Sequence, residues 1–161
     1  MIRIAEDAGY DFSLLRGVIA VNDEQFERVT EKVAHCVGGS LDGVRIAALG
    51  LTFKAGTDDM RESPALEILA RLVQRGARVR AYDPAVRVSP DAGIEVVDDP
   101  YAACEGAEVL VVLTEWDEFK WLDYDKIATS MARRCVVDAR NILDKGSLLR
   151  RGFSYTGVGR N

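Results

Sequence analysis

After residue 41, short apolar runs alternate with helical patterns, and this alternation constrains the fold more than any other feature of the chain. The apolar runs predict strands at 44–49, 78–82, 94–97, 108–113, 135–138 and 154–158. Helical patterns lie between them, at 64–75, 100–104, 124–131 and 147–151. Near-continuous apolar strands separated by helices are typical of a parallel sheet that is covered on both faces. Because parallel crossovers are right-handed, we expect an α/β fold with a Rossmann-like, doubly wound parallel sheet.

A long helix is predicted ahead of the sheet, from about Phe12 to Val37, because apolar residues recur there at helical spacing. Gly38 and Gly39 end it. Its first half is apolar on more than one face, which exceeds what a surface helix of a small domain needs. We therefore expect the extra face to meet another domain or a second copy of the chain. The residues of this face are Leu14, Leu15, Val18, Ile19 and Val21.

The composition limits the classes of partner. The chain has 161 residues, enough for one domain with a sizeable core. It carries 21 Lys and Arg against 26 Asp and Glu, a net charge of −5, so nucleic acid is not an expected partner. No apolar run approaches the roughly 18 residues that a membrane span needs, so no membrane contact is expected. No metal site is predicted.

Three cysteines, Cys36, Cys104 and Cys135, lie far apart and form no C-x-x-C pair. Because their number is odd and no secretory signal precedes them, we expect a reducing compartment and a cytoplasmic location. Each cysteine is expected to act as a small buried apolar side chain.

The segment 49–64 is the most informative about function. A strand ends at Gly50, a polar loop follows with one lysine and one arginine among carboxylates, and Ser63 is expected to cap the helix that begins at Pro64. Ligands of open α/β sheets bind at the carboxyl ends of the strands, so this loop is a candidate anion site. It is not a dinucleotide turn of the usual kind, because G-x-G-x-x-G is absent and the next glycine is Gly56.

Several segments, in order along nearly the whole chain, resemble the UDP-glucose/GDP-mannose dehydrogenase family. The resemblance is to its C-terminal, UDP-binding domain, and the Thr-Glu-Trp segment and the tyrosine-containing tail look more like UDP-glucose 6-dehydrogenases. The early helix, with VNDEQ at 21–25, is similar to the family's central dimerisation helix. The segments are GLTFK at 50–54, TDDMRESP at 57–64, AYDP at 81–84, AEVLVVLTEWDEF at 107–119, VDARN at 137–141 and GFSYTGVGR at 152–160.

The resemblance implies a parent reaction, the two-step oxidation of the C6 alcohol of UDP-glucose to a carboxylate. The family uses two NAD and a cysteine that passes through a thiohemiacetal and a thioester. That cysteine lies in a Gly-Gly-x-Cys-Phe-Pro-Lys-Asp segment just before the stretch matched by 2–5, and none of the three cysteines here lies in such a segment. The resemblance therefore implies no catalytic residue in this chain, NAD held mainly by another domain, and no turnover by the chain alone.

The same resemblance implies a division of the chain. Residues 1–40 would be the end of the central dimerisation segment, so that a homodimer forms through the long helix. Residues 41–161 would be the UDP-binding, Rossmann-like domain. Within the first segment, 1–10 are expected to be the tail of a helix ending at Gly9, with Asp11 as the next N-cap.

By resemblance, four residues form the site. Phe53 and Lys54 are expected to contact the UDP-sugar, with Lys54 as a compact positive charge for an anionic oxygen. Arg140 is expected to bind the uridine diphosphate through its guanidinium group. Arg61 is expected to reach the NAD that another domain holds.

Each of the three cations also has a plainer interpretation that stays open. For Lys54 it is a solvated loop lysine. For the arginines it is an ion pair: Arg140 with Asp138 or Asp144, and Arg61 with Asp58, Asp59 or Glu62. The corresponding alternative for the whole chain is a non-catalytic module that binds nucleotides or another protein.

Four other residues stand out without a predicted chemical role. Asp83 lies where a dinucleotide fold places its ribose-binding acid, but Asp-Pro after a strand is more often a turn, and we favour the turn. Trp116 and Phe119 are expected to belong to the core. His35 is expected to lie on a face of the long helix, without a catalytic partner.

Overall fold

The computed structural model describes residues 13–159 of the chain, with side chains from residue 17 onward. The long predicted helix is confirmed over the described part as α1, Ser13–Val37, which has 25 residues. The predicted start at Phe12, the helix tail at 1–10 and the Asp11 cap lie outside the described residues.

All six predicted strands form, and they build one parallel sheet with the order β3-β2-β1-β4-β5-β6. This order is that of a doubly wound dinucleotide-type fold, in which ligands bind where the strand order reverses, between β1 and β4. The expected fold class is therefore confirmed. The strands are β1 Arg45–Leu49, β2 Arg78–Tyr82, β3 Ile94–Val96, β4 Val109–Val112, β5 Cys135–Asp138 and β6 Ser154–Gly157.

The helices between the strands also lie where the sequence predicts them, within a residue or two at each end. They are α2 Pro64–Gln74, α3 Pro100–Cys104, α4 Tyr124–Ser130 and α5 Lys145–Arg150. A 3-10 helix at Asp117–Trp121 is additional. No apolar repeat marks this short polar segment, and Phe119 holds it in place as a fully buried side chain, as predicted for that residue.

The two faces of the sheet carry separate apolar cores. One core lies under α1 and α2, and the other lies under α3, α4, α5 and the 3-10 helix. The carboxyl-terminal half of α1 belongs to the first core, because Val29, Val33 and Ala34 are buried there. Lys32 of α1 also donates to the carbonyl oxygen of Gly157 at 2.7 Å, so this helix is attached to the far edge of the sheet.

Three apolar side chains in the first half of α1 are exposed. Val18, Ile19 and Val21 keep 49%, 51% and 55% of their surface accessible, so this part of the predicted apolar face is not covered by the described part of the chain. The side chains of Leu14 and Leu15 lie outside the described residues. His35 is exposed on the same helix, as predicted. Among the described residues, no helix is both long and apolar enough to cross a membrane.

The prediction for the cysteines holds for Cys104, which is fully buried as a free thiol. It is wrong for Cys36 and Cys135, which form a disulfide with a Cα–Cα distance of 6.3 Å. The last turn of α1 packs against the start of β5, and this brings together two cysteines that are 99 residues apart in the chain. The cytoplasmic location inferred from the cysteine count stays a prediction.

Candidate functional site

The carboxyl ends of β1, β2, β4 and β5 meet at one edge of the sheet and bring the predicted site segments together. Gly50 follows β1, Asp83 follows β2, Thr114 follows β4 and Arg140 follows β5. Gly50 allows the closest approach, because its φ of 98° is in the left-handed region and a Cβ there would lie 2.4 Å from the Cβ of Thr114. The turn after β1 therefore requires a glycine.

The loop between β1 and α2 is closed by its own hydrogen bonds. The Phe53 backbone N–H donates to the Asp59 carbonyl at 2.8 Å. Ser63 is the cap of α2, as predicted: its Oγ accepts from the Ala65 N–H at 3.2 Å and donates to the Leu51 carbonyl at 2.8 Å. The start of α2 is thereby tied to the beginning of the loop.

Phe53 and Lys54 project from this loop toward solvent. Phe53 keeps 48% of its surface exposed, which is unusual for a large aromatic side chain. It lines a cavity of about 470 Å³ together with Ile19, Phe26 and Pro64. Lys54 is exposed and forms no hydrogen bond or ion pair with any described residue. Its amino group is thus available to a ligand.

Arg140 is held by its backbone and by one side of its guanidinium group. Its N–H donates to Asp138 Oδ1 at 3.0 Å, and its Nε donates to the Leu113 carbonyl at 2.8 Å. The same Nε lies 3.3 Å from Glu115 Oε2, so the ion pair is with Glu115 rather than with either predicted carboxylate. None of its hydrogen bonds to described residues uses Nη1 or Nη2, which leaves the tip of the guanidinium for a ligand.

A single groove connects Phe53 with Arg140. Arg140 lines a cavity of about 420 Å³, and this cavity shares Asn22, Phe26 and Pro64 with the cavity that Phe53 lines. The two cavities are therefore adjoining parts of one groove between α1 and the carboxyl edge of the sheet, which we call the edge groove. Phe53 and Arg140 lie at its two ends.

Of the two contacts predicted for Arg61, the structure shows the ion pair within its own loop. Its Nε and Nη2 donate to Asp59 at 2.9 Å and 2.8 Å, a bidentate pair within the loop. Hydrogen bonds from Arg61 lower the pKa of the Asp59 carboxyl from 3.8 to about 2. The Arg61 side chain is 88% exposed and lines a surface hollow with Phe53. Its predicted contact with NAD remains a prediction.

Asp83 does more than the predicted turn requires. Its Oδ1 accepts from the Ala85 N–H at 2.9 Å, which is the turn contact. Its Oδ2 accepts from four donors in the loops that follow β1 and β4. One of these donors is the indole of Trp116, which is partly buried rather than a full member of the core.

Outside this edge of the sheet, the described residues provide neither a reactive cysteine nor a metal site. Burial raises the pKa of the Cys104 thiol to about 12, so it is no nucleophile at neutral pH. No group of three or more His, Cys, Asp or Glu among the described residues could hold a metal ion. A cavity of about 550 Å³ lies at the opposite, amino edge of the sheet and is lined by Arg45, Arg78 and Arg80.

Comparison with known proteins identifies the family. Residues 47–145 match the model of the UDP-glucose/GDP-mannose dehydrogenase family, UDP binding domain. The chain belongs to this family. It is 40% identical to a UDP-glucose 6-dehydrogenase of Rhizobium meliloti and 41% identical to one of Pseudomonas aeruginosa. Both matches cover 99% of the chain but 37% of the relative, so the chain spans little more than a third of these proteins.

Solved structures agree. A UDP-glucose dehydrogenase from Pyrobaculum islandicum has 30% identity and a TM-score of 0.79, covering 99% of this chain and 35% of that one. A UDP-D-ManNAc dehydrogenase from Pyrococcus horikoshii has 31% identity and a TM-score of 0.81, covering 97% and 36%. This chain is therefore similar to one part of larger nucleotide-sugar dehydrogenases.

The sequence did not point to every residue around the groove. Phe26 and Asn22 contribute to it from α1, far before the loop in the chain. The sequence predicted Phe26 only as part of a helix, and it assigned Asn22 only to the segment at 21–25 that is similar to a dimerisation helix. The partners of Asp83 come from two other loops. These contacts depend on how the elements pack, so a single sequence carries no signal for them.

Proposed function

We propose that this chain supplies the UDP-sugar-binding part of an NAD-dependent UDP-glucose 6-dehydrogenase. The observation that carries the proposal is the edge groove, with exposed Phe53 at one end and Arg140 at the other. Membership of a family whose matched domain is described as UDP binding supports the same ligand.

The side chains suit the parts of such a ligand. The exposed ring of Phe53 offers a flat apolar surface for a sugar or a base. Lys54 offers a point charge without a competing partner in the described chain. The Nη groups of Arg140 offer parallel donors for diphosphate oxygens, and its anchored Nε fixes their direction.

The residues that the structure describes do not form an NAD cradle after β1. Thr114 lies directly against Gly50 and leaves no space in the turn after β1. Ser63 already caps the N-terminus of α2. A pyrophosphate therefore lacks the open helix start that dinucleotide folds use. We infer that NAD is held mainly outside this chain, with Arg61 as the residue that reaches it after leaving Asp59.

The proposal extends to the organisation of the chain. Residues 1–40 are proposed to be the end of a central dimerisation segment and 41–161 the UDP-binding domain. The exposed apolar residues Val18, Ile19 and Val21 support a homodimer through α1. A cytoplasmic location fits an enzyme that oxidises a nucleotide sugar with NAD.

Titration calorimetry with UDP tests the binding role. We expect the wild-type chain to release or take up heat, and Lys54→Ala to weaken binding about tenfold, because a charge-assisted contact contributes about 1.4 kcal/mol or more. Lys126→Ala is the matched control. Lys126 is on α4, away from the groove, and its amino group lies over the ring of Tyr101 on α3. Equal affinity of wild type and Lys54→Ala would remove Lys54 from the site.

The chain alone is expected to be inactive. None of its cysteines lies in the family's catalytic segment, and it has no glycine-rich dinucleotide turn. Incubation of the purified chain with UDP-glucose and NAD should therefore produce no NADH, as measured by absorbance at the nicotinamide band. Turnover above a protein-free blank would contradict this assignment.

A further inference from the structure

Asp83 is a buried carboxylate at the end of β2 whose two oxygens are surrounded by donors. The side chain is 0% exposed. Its Oδ2 accepts from the Leu51 N–H at 2.7 Å, from the Thr52 N–H at 3.1 Å and from Thr52 Oγ1 at 3.2 Å. The Trp116 Nε1–H adds a fourth contact at 3.2 Å. A buried charge is tolerated only with such partners.

The peptide groups of Leu51 and Thr52 are held from both sides. Asp83 accepts both of their N–H groups. The Leu51 carbonyl accepts from Ser63 Oγ at 2.8 Å, and the Thr52 carbonyl accepts from Thr114 Oγ1 at 2.9 Å. These two residues belong to no helix or strand, so side chains from three other segments replace the usual backbone partners.

The location of this network links it to the edge groove. Leu51 and Thr52 are both fully buried and directly precede Phe53 and Lys54. The backbone direction at Thr52 therefore sets where the Phe53 ring and the Lys54 amine point. Without the Asp83 carboxylate, two buried N–H groups lose their acceptor, and the loop must move to find water.

We propose that Asp83 is a positioning residue for nucleotide-sugar binding. It fixes the backbone at Leu51 and Thr52 so that Phe53 lines the edge groove and the adjacent Lys54 keeps its direction, and it does so without touching the ligand. This inference rests on the proposed function, because it takes a UDP-sugar as the occupant of the groove.

UDP titration of Asp83→Asn and Asp83→Ala in this chain tests the inference. We expect UDP affinity to fall about tenfold or more in both variants, since contacts to a charged acceptor are lost beneath the binding loop. The control is Val79→Ala, which opens a cavity at the other end of the same strand, where Val79 is 4% exposed. It should bind UDP with unchanged affinity.

A spectroscopic readout separates positioning from general loss of stability. In a Trp121→Phe background, Trp116 is the single tryptophan of the chain. Its emission maximum should move in Asp83→Asn, because the indole loses its carboxylate partner, and should stay in place in Val79→Ala. Unchanged Trp116 emission together with unchanged UDP affinity in a folded Asp83→Asn would overturn the inference.

Thr52→Val is the second variant in case the Asp83 variants do not fold. It removes the Oγ1 donor to Asp83 from a residue that is 0% exposed and so cannot contact the ligand. We expect UDP affinity to fall about threefold, because only one of the several hydrogen bonds to the Asp83 carboxylate is lost, and unchanged affinity would count against the inference. If the wild-type chain binds no UDP, the proposed function fails and this inference fails with it. If the wild type binds while all the variants bind equally well, only this inference fails.

Discussion

At the scale of single residues, the polar side chains at the carboxyl edge of the sheet differ in whether the fold already uses them. Asp83, Asp138 and Ser63 are fully engaged in holding backbone groups. Lys54 and the tip of Arg140 have no hydrogen bond within the described chain. The three engaged side chains hold the shape of the site, whereas Lys54 and the tip of Arg140 are available to bind a ligand.

The loop carboxylate Asp59 gives a prediction at this scale. Its pKa of about 2 is lowered by hydrogen bonds from Arg61, so the pair is complete above the ordinary value of 3.8 and is lost as the pH falls through about 2. Carboxyl NMR titration should show a midpoint near 2 in the wild type. In Arg61→Met the midpoint should rise toward 3.8, because the side-chain hydrogen bonds are lost while the backbone N–H of residue 61 still donates to Asp59 Oδ1.

The outcome of this titration also bears on the cofactor. A wild-type midpoint near 3.8 would mean that Arg61 does not hold Asp59 in solution and is free to turn elsewhere. Asp58→Asn is a suitable control, because the neighbouring carboxylate makes no ion pair with Arg61 in the structure and should leave the Asp59 midpoint unchanged.

At the scale of elements, the turn after β1 is the most constrained connection at the site. Gly50→Ala places a side chain in the left-handed region and against Thr114, so we expect a loss of about 2–5 kcal/mol in the free energy of unfolding. Gly56→Ala is the matched control, because Gly56 also has a positive φ, of 80°, but no atom within 4 Å of an added Cβ.

Urea denaturation measures both variants. The control should lose about 1–2 kcal/mol, the cost of the backbone conformation alone. Equal losses for Gly50→Ala and Gly56→Ala would show that the close approach between the ends of β1 and β4 does not constrain this turn.

The elements themselves could be predicted because their sequences carry local signals. The run from Val109 to Val112 is apolar on both faces, and Ser63-Pro64 marks the start of α2. The 3-10 helix at Asp117–Trp121 has no such signal, since one buried aromatic, Phe119, fixes it through tertiary packing. The Cys36–Cys135 bond was missed for the same reason, because it depends on how α1 lies on the sheet.

The candidate site was predictable to a similar extent. The resemblance of three separate segments to the family pointed to Phe53, Lys54, Arg61 and Arg140, and the fold brings Phe53 and Arg140 to one groove. The ion pair of Arg140 with Glu115 and the four contacts to Asp83 Oδ2 could not be predicted. They join residues on different loops whose approach is set by the twist and order of the strands.

At the scale of the whole molecule, the exposed apolar residues Val18, Ile19 and Val21 of α1 predict self-association. Val21→Glu places a charge in the apolar face, where Val21 is 55% exposed, and should convert a dimer to a monomer in light scattering. Val88→Glu is the control, because Val88 is even more exposed, at 76%, but lies on the loop after β2. A wild-type monomer at all concentrations would contradict the proposed homodimer.

Binding of a UDP-sugar in the edge groove is tested most directly by NMR mapping of UDP onto the isotopically labelled chain. We expect the largest shift changes on adding UDP to occur at Phe53, Lys54 and Arg140. The cavity at the amino edge is the internal comparison, because it also offers arginines to an anion. Changes centred on Arg45, Arg78 and Arg80, or no changes at all, would contradict UDP binding in the edge groove.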